Sequence, residues 1–365
     1  MSRLPYWLTV ALFAGVVLAK FDPRTGFTAL LRFGDDFAST RLPALRAVPF
    51  ATGPGTGYDG QFYAQIALDP ALRSPELAAA LDAPAYRARR ILAPAMAHGL
   101  GLGRPEWVLQ AYPLLNVACW AALALLLYRE IGATNPPAFA RWFGCVAALG
   151  VLDSVRQALV DLPALLLLVA AVRSQARQPT PRTAIWLAAG HLAKETNLLG
   201  SLALAAAPRF SARAFGLVAL AALPLAAWIG YVALRLPSGQ AGFGNFTWPF
   251  LGAIEQGLAS LSAVRNGHPD SRHALTLLGL PSLFLQALVV ARLRRVDHPW
   301  WRIGVAYALL LVVLGPWVWS GYWAACRAAL PLTIAFNLLL PAGRAFWPLW
   351  IAGNITVLHG VWRFL

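Results

Sequence analysis

The stretch EWVLQAYPLLNVACWAALALLLY, residues 106–128, decides the fold class, because it carries one charged side chain in 23 residues. An α-helix rises about 1.5 Å per residue, so this stretch can cross the roughly 30 Å hydrocarbon core of a bilayer. The whole chain has a similar composition, with 59% hydrophobic and 12% charged residues and a mean hydropathy of +0.59. A soluble domain carries about 25% charged residues. The sequence therefore predicts an all-α polytopic membrane protein, with one integral-membrane domain over residues 1–365.

Similar apolar runs recur along the chain and predict about eleven transmembrane or half-spanning helices, within a range of about nine to twelve. The predicted helices cover residues 5–19, 106–128, 139–152, 156–172, 183–193, 196–207, 214–234, 272–291, 302–319, 325–340 and 345–362. Several are shorter than the ~20 residues that a crossing needs, so we expect some to be tilted or broken. The first lacks a small-residue cleavage site before Lys20 and is expected to be a retained span.

The basic residues predict the orientation. They cluster in every second short loop, at Arg129 to Arg141, Arg173/Arg177/Arg182, Arg209/Arg213, Arg292/Arg294/Arg295/Arg302 and Arg344. Short basic loops stay cytoplasmic, which places the N-terminus inside and the long segments 20–105 and 235–271 outside. Clusters between apolar runs also argue against nucleic acid as the partner of this chain of net charge +15.

The first outer loop, residues 20–105, contains the acidic motif GTGYDGQFYAQIALDP at residues 55–70. Gly57 and Gly60 allow a tight turn around Asp59, and the residues that follow predict an amphipathic helix along the membrane surface. A carboxylate held there can accept a proton from a hydroxyl group. The alternative is that Asp59 caps the helix that begins at Gly60. Asp35 and Asp36 form a rival acidic pair, which suits a metal ion or a raised-pKa acid but is also typical of a solvated loop.

Four basic residues are candidate ligands of a phosphate group. Arg89 and Arg90 lie in YRARR, Lys194 in GHLAKETNLLG and Arg327 in CRAALPL. Arginine binds phosphate through paired donors. The alternatives are interfacial anchoring for the arginines and mutual neutralisation of Lys194 by the adjacent Glu195.

Other polar residues fall on the same predicted outer side. Asp153, Arg156 and Asp161 lie on neighbouring helical turns and either pair with one another or contribute to a site. Tyr322 precedes Arg327 and belongs either to a phosphate site or to an aromatic belt. The three cysteines lie in apolar runs and are expected to be packing residues, and the histidines show no metal-binding spacing.

Five motifs occur in order along nearly the whole chain: YDGQFYAQIALDP, YRARRILAPAMA, DLPALLLL, AKETNLL and CRAALPL. Together they resemble the GT-C superfamily of integral-membrane glycosyltransferases, and more narrowly its bacterial branch of cell-surface glycopolymer formation proteins. DGQFY followed by ALDP is the most specific of these motifs.

The resemblance implies a GT-C-like fold and an inverting transfer of a sugar from a polyprenyl-phosphate donor to a glycan or lipid acceptor, at the outer face of the bacterial cytoplasmic membrane. It assigns the base to Asp59, with Asp35 and Asp36 as rivals, and the donor phosphate to Lys194 and Arg327, with Arg89 and Arg90 as weaker candidates. The supporting residues are Tyr58, Gln61, Tyr63, Asp69, Tyr86, Asp153, Arg156, Asp161, Glu195 and Tyr322. No cofactor is implied with certainty, and a divalent metal is left open.

Two other functions remain open at this point. A transporter or flippase of lipid-linked sugars should show repeated halves with matched broken helices, and the sequence has no such repeat. A polymerase or ligase that uses a polyprenyl-pyrophosphate donor would differ from the glycosyltransferase described above mainly in its donor.

Overall fold

The computed structural model describes residues 3–132, 135–175, 179–205, 211–237, 239, 242–268 and 270–365. The protein is 71% helical, which confirms the all-α prediction. In the described ranges the α-helices are α1 Leu4–Leu18, α2 Pro43–Arg46, α3 Gly60–Leu68, α4 Pro84–Ala88, α5 Leu92–Leu100, α6 Pro105–Ile131, α7 Pro136–Val146, α8 Leu149–Arg156, α9 Asp161–Ser174, α10 Pro181–Ala193, α11 Asn197–Ala205, α12 Ala212–Arg235, α13 Leu251–Arg265, α14 Ser271–Arg292, α15 Pro299–Val312, α16 Pro316–Trp319, α17 Trp323–Ala328, α18 Leu330–Leu339, α19 Phe346–Gly353 and α20 Thr356–Phe364. Short 3-10 helices cover Thr28–Leu31, Asp35–Thr40 and Phe243–Asn245, and two strands, β1 Phe33–Gly34 and β2 Thr52–Gly53, pair in parallel.

Three helices within the described ranges, α6, α12 and α14, are long and apolar enough to cross a membrane. The pair α7 and α8, bent by 43° at its break, makes a fourth if it is counted as one span. The apolar helices thus indicate a membrane protein, but the predicted count of about eleven spans is not confirmed. The predicted helix 139–152 crosses the break between α7 and α8, where the buried Trp120 indole donates to the Val146 carbonyl and so stabilises the interruption.

The predicted helix 156–172 is also divided. Helix α8 ends at Arg156, Ala158 has a left-handed φ of 45°, and α9 begins at Asp161. The Ser154 hydroxyl accepts a hydrogen bond from the Leu162 N–H at 3.0 Å and stabilises this start. Asp161 is therefore the first residue of a helix, and the prediction that placed it inside the helix 156–172 is wrong.

Helix α3, which the sequence predicts to lie along the membrane surface, is enclosed by the rest of the protein. Residues 60–67 of α3 are all buried. The side chain of Gln61 accepts from the Gly34 N–H and donates to the Thr56 carbonyl, while Gln65 accepts from the Leu42 N–H and donates to the Ala80 carbonyl. The polar face of α3 is satisfied by the loop's own backbone, so the helix packs inside the protein.

Two aromatic side chains of α12 hold this loop against the helices. The Trp228 indole donates to the Ala88 carbonyl at 2.8 Å, and the Tyr231 hydroxyl donates to the Ala71 carbonyl at 2.6 Å. These bonds attach α4, and with it the arginines that follow it, to α12.

The predicted orientation can be checked by labelling, although Arg177 and Arg209, which contributed to it, lie outside the described residues. All three native cysteines are buried, so an added cysteine gives the main signal. We expect an exposed Ser39→Cys in the first outer loop to react with an impermeant maleimide on intact cells. An exposed Gly343→Cys, in the predicted inner loop, should react only after permeabilisation, and the reverse pattern would invert the topology.

Candidate active site

A cavity of about 640 Å³ lies where the first outer loop meets the breaks between the helices. Its charged lining consists of Arg87, Arg89, Arg90, Lys194, Arg327, Asp59, Asp161 and Glu195. Five cations face three carboxylates, which leaves an excess of two positive charges in the lining. The lining also contains apolar side chains, among them Val160, Leu310, Leu314 and Val318. This combination suits an anionic group that is attached to an apolar chain.

Asp59 lies in the cavity wall and does not cap α3. It is the residue before α3, but its side chain makes no capping hydrogen bond. One carboxylate oxygen accepts from Arg87 Nη2 at 2.9 Å, and the other lies 3.6 Å from Arg327 Nη1. The preceding Gly57 has a φ of +65°, and a Cβ there would come 2.3 Å from the Arg32 carbonyl oxygen, so the turn that presents Asp59 requires glycine.

Two opposing effects act on the Asp59 carboxyl. Burial raises its pKa, but the charges of Arg87 and Arg327 outweigh burial and hold the pKa below its ordinary value. Asp59 is therefore ionised at neutral pH.

Arg87 was not among the predicted site residues, yet it holds Asp59 in place. Its Nε and Nη2 donate to both carboxylate oxygens of Asp82, at 2.9 and 2.7 Å, while Nη2 also donates to Asp59. This fork geometry orients the guanidinium. The sequence signal was the first arginine of YRARR, which the predicted assignment of Arg89 and Arg90 to the phosphate left out.

Asp161 lies between two cations from distant parts of the chain. Lys194 Nζ is 2.5 Å from one carboxylate oxygen, and Arg327 Nη1 is 3.5 Å from the other. Arg327 thus bridges Asp161 and Asp59, and its guanidinium carbon lies 5.4 Å from the centre of the Tyr58 ring. A buried charge is stable only when it is paired, so these residues depend on one another.

Lys194 and Glu195 do not neutralise each other. Lys194 has an extended backbone, with φ −160° and ψ 127°, and neighbouring side chains of an extended backbone point in opposite directions. Glu195 instead accepts two hydrogen bonds from Arg90, at 2.6 and 3.0 Å. Arg90 also donates to the hydroxyls of Tyr63 and Tyr86, and Asn245 from the second outer loop donates to Tyr86. Asn245 was not predicted, because nothing in the sequence links the two outer loops.

Arg89 differs from the other cations in the cavity. Among the residues that the structure describes, no carboxylate lies within 4 Å of its guanidinium, whereas the other four cations each have such a partner. It is also partly exposed. Arg89 is therefore the cation most available to a ligand.

Several predicted residues lie elsewhere. Asp35 and Asp36 are exposed and do not line the cavity, and Asp35 is 3.9 Å from Arg41. Gln61 binds loop backbone, as described above, and Asp69 accepts from the Ser74 N–H in a turn. These residues shape the loop.

Of the two alternatives for Asp153, Arg156 and Asp161, which all lie in the described ranges, mutual pairing is not found, whereas Asp161 does line the cavity. Asp153 lies 3.5 Å from Arg363 of α20, and Asp161 pairs with Lys194 and Arg327. Tyr322 is completely buried, so it is not part of an aromatic belt or of the cavity wall. The pairing of residues this far apart in sequence is set by helix packing.

No three His, Cys, Asp or Glu side chains are grouped as a metal site requires in the described part of the chain. The chain matches no known protein family, no curated protein and no solved structure. The geometry of the cavity therefore carries the functional argument.

The ion pairs predict the effect of removing Lys194. Lys194→Met leaves Asp161, which is 6% exposed, with one weaker partner and should lower the free energy of unfolding by about 3 kcal/mol. Adding Asp161→Asn should restore part of this loss, because the uncompensated charge disappears. The control is Arg173→Met, which breaks an exposed pair with Glu130 and should cost less than about 1 kcal/mol. Equal losses in the two single variants, measured by reversible unfolding in detergent, would contradict a buried ion network.

Proposed function

We propose that the protein is a membrane glycosyltransferase that transfers a sugar from a polyprenyl-phosphate donor to a hydroxyl group of a cell-envelope acceptor. The observation that supports it best is one cavity whose lining combines Asp59, cations in excess and apolar side chains. An acid for the acceptor, cations for a phosphate and an apolar surface for a lipid occur together there.

The donor phosphate is assigned to the cationic part of the cavity. Arg89 has no carboxylate partner among the described residues, so it meets the phosphate without first losing an ion pair. Arg327 and Lys194 are already paired with Asp161 and contribute mainly through their charge. Arg89 is thus the first-ranked phosphate ligand in this proposal, whereas the sequence-based assignment ranked Lys194 and Arg327 first.

Asp59 is assigned to the acceptor hydroxyl. Its low pKa makes it a weak base, so it accepts the proton late, when the forming bond has already made the hydroxyl acidic. Before that stage it orients the hydroxyl as a hydrogen-bond acceptor.

The reaction follows from these positions. The acceptor oxygen forms a bond to the anomeric carbon while the bond from that carbon to the phosphate oxygen breaks. The proton of the acceptor passes to Asp59, and the bonding electron pair leaves with the phosphate. Negative charge grows on the phosphate, where fixed arginines stabilise it. Attack opposite the leaving group inverts the anomeric centre.

The direct test is to reconstitute the purified protein in liposomes with a panel of polyprenyl-phosphate sugars and to measure transfer or donor hydrolysis. Asp59→Asn should lower turnover by about a hundredfold or more, as loss of a general base does. The control Asp36→Asn, outside the cavity, should retain turnover. Full activity of Asp59→Asn would exclude it as the base, and movement of an unchanged lipid-linked sugar across the bilayer would favour a flippase.

Arg89→Ala should weaken binding of a polyprenyl-phosphate sugar by about ten- to hundredfold, since a charge-assisted phosphate contact contributes about 1.5–3 kcal/mol. Arg73→Ala is the matched control, because Arg73 is an exposed arginine of the same loop that does not line the cavity. Donor affinity is measured with a fluorescent donor in nanodiscs. Equal affinities of the two variants would remove Arg89 from the phosphate site.

The pH dependence tests the role of Arg87. Asp59 acts as a base only when ionised, so activity falls as the pH drops through its pKa, which lies below the ordinary value of about 4. Arg87→Gln removes a charge that lowers this pKa while burial still raises it, so the acidic limb of the turnover profile should move to higher pH. Arg73→Gln should leave the limb in place. An unmoved limb in Arg87→Gln would show that Asp59 is not the titrating group.

A further inference from the structure

A second cavity of about 660 Å³ forms an apolar groove between α11 and α15. Its lining residues on and just after α15 recur at intervals of three and four, which places them on one helix face: Arg302, Val305, Ala306, Leu309, Leu310 and Val313. Leu199, Leu202 and Ala203 line it from α11. Apart from Arg302 and the Trp301 indole, the groove offers no polar side chain to a ligand.

One end of the groove adjoins the charged cavity. Leu310 lines both, and Val313 of the groove precedes Leu314 of the charged cavity. The apolar part of the charged cavity's lining therefore continues into the groove. A molecule with a polar head in the charged cavity can pass its apolar chain along α15.

The other end is closed by Arg302. Its Nε donates to the Ala203 carbonyl and its Nη1 donates to the Val296 carbonyl, each at 2.8 Å. Ala203 lies in the last turn of α11, where carbonyls lack helical partners, so these bonds fix the arginine across the groove. Between Arg302 and Val313 the groove follows about three turns of α15, roughly 16 Å.

The side of the groove is open. Leu202 and Leu309 on its rim are 53% and 65% exposed, and in a membrane they would contact lipid chains. A bound chain would therefore contact α11 and α15 on one side and membrane lipid on the other.

We propose that this groove binds the first isoprene units of the lipid carrier and selects carriers by chain length. The inference rests on the proposed function for the ligand, a polyprenyl phosphate whose phosphate lies in the charged cavity. A short chain ends near Leu310, whereas a long chain buries apolar surface as far as Arg302. Because an unbound chain already lies in lipid, the gain comes from close packing against α11 and α15 and not from removal of apolar surface from water, and this packing makes long carriers bind more tightly than short ones with the same head group.

The test compares two probes, undecaprenyl phosphate and citronellyl phosphate, which share the head group and differ in chain length. Their affinities for the full chain in nanodiscs are measured by native mass spectrometry. The wild type should bind undecaprenyl phosphate at least about tenfold more tightly, which corresponds to roughly ten additional carbon–carbon contacts in the groove. Ala306→Trp fills the groove and should remove most of this difference while leaving citronellyl phosphate binding within about twofold, which also shows that the variant is folded.

The matched control is Leu220→Trp, which adds the same side chain to the exposed face of α12, outside both cavities. It should keep the wild-type preference. A preference that survives in Ala306→Trp, or that is lost equally in Leu220→Trp, would overturn the groove assignment. Failure of the wild type to bind either probe would instead overturn the proposed function, so the two inferences fail in distinguishable ways.

Discussion

The bridge that Arg327 makes between Asp59 and Asp161 is the interaction on which the site depends. It joins the first outer loop, the start of α9 and the short helix α17, which are far apart in sequence. Each of these carboxylates is costly to bury without a cation. Correct packing of the three segments is therefore coupled to charge neutralisation, and the same pairing places two acids and one arginine around one cavity.

The cations of the cavity fall into two groups, according to whether a carboxylate partner lies within 4 Å. Arg87, Arg90, Lys194 and Arg327 have carboxylate partners and hold the site together, whereas Arg89 has none among the described residues. A site built in this way keeps its shape when empty and still presents a positive charge to a ligand. Such preorganised charge is what a leaving phosphate requires, because no structural rearrangement is needed as its negative charge grows.

Much of the helical pattern was predictable, because long apolar runs, of about 18 residues or more, are typical of membrane-spanning helices. The breaks inside the runs were not predictable, since those at Ala158 and after Val146 depend on side-chain hydrogen bonds of Ser154 and Trp120 to the backbone. The outer loop misled in the same way. The sequence suggests that Gln61 and Gln65 form the solvent-facing side of a surface helix. In the folded loop, both side chains instead hydrogen-bond to backbone groups.

For the site, sequence reasoning found Asp59, Arg89, Arg90, Lys194 and Arg327, which the structure brings into one cavity. It could not find their partners. Lys194 and Glu195 are neighbours that pair with different residues, and Asp153 pairs with Arg363 across most of the chain. These choices follow from helix packing, which local sequence does not encode.

A cryo-EM structure with a bound polyprenyl-phosphate sugar tests the central claim most directly. The account predicts the phosphate within hydrogen-bonding distance of Arg89, the first isoprene units along α15 and the Asp59 carboxylate on the side of the anomeric carbon opposite the phosphate. A phosphate bound outside this cavity, or a sugar whose anomeric carbon faces away from Asp59, would contradict it.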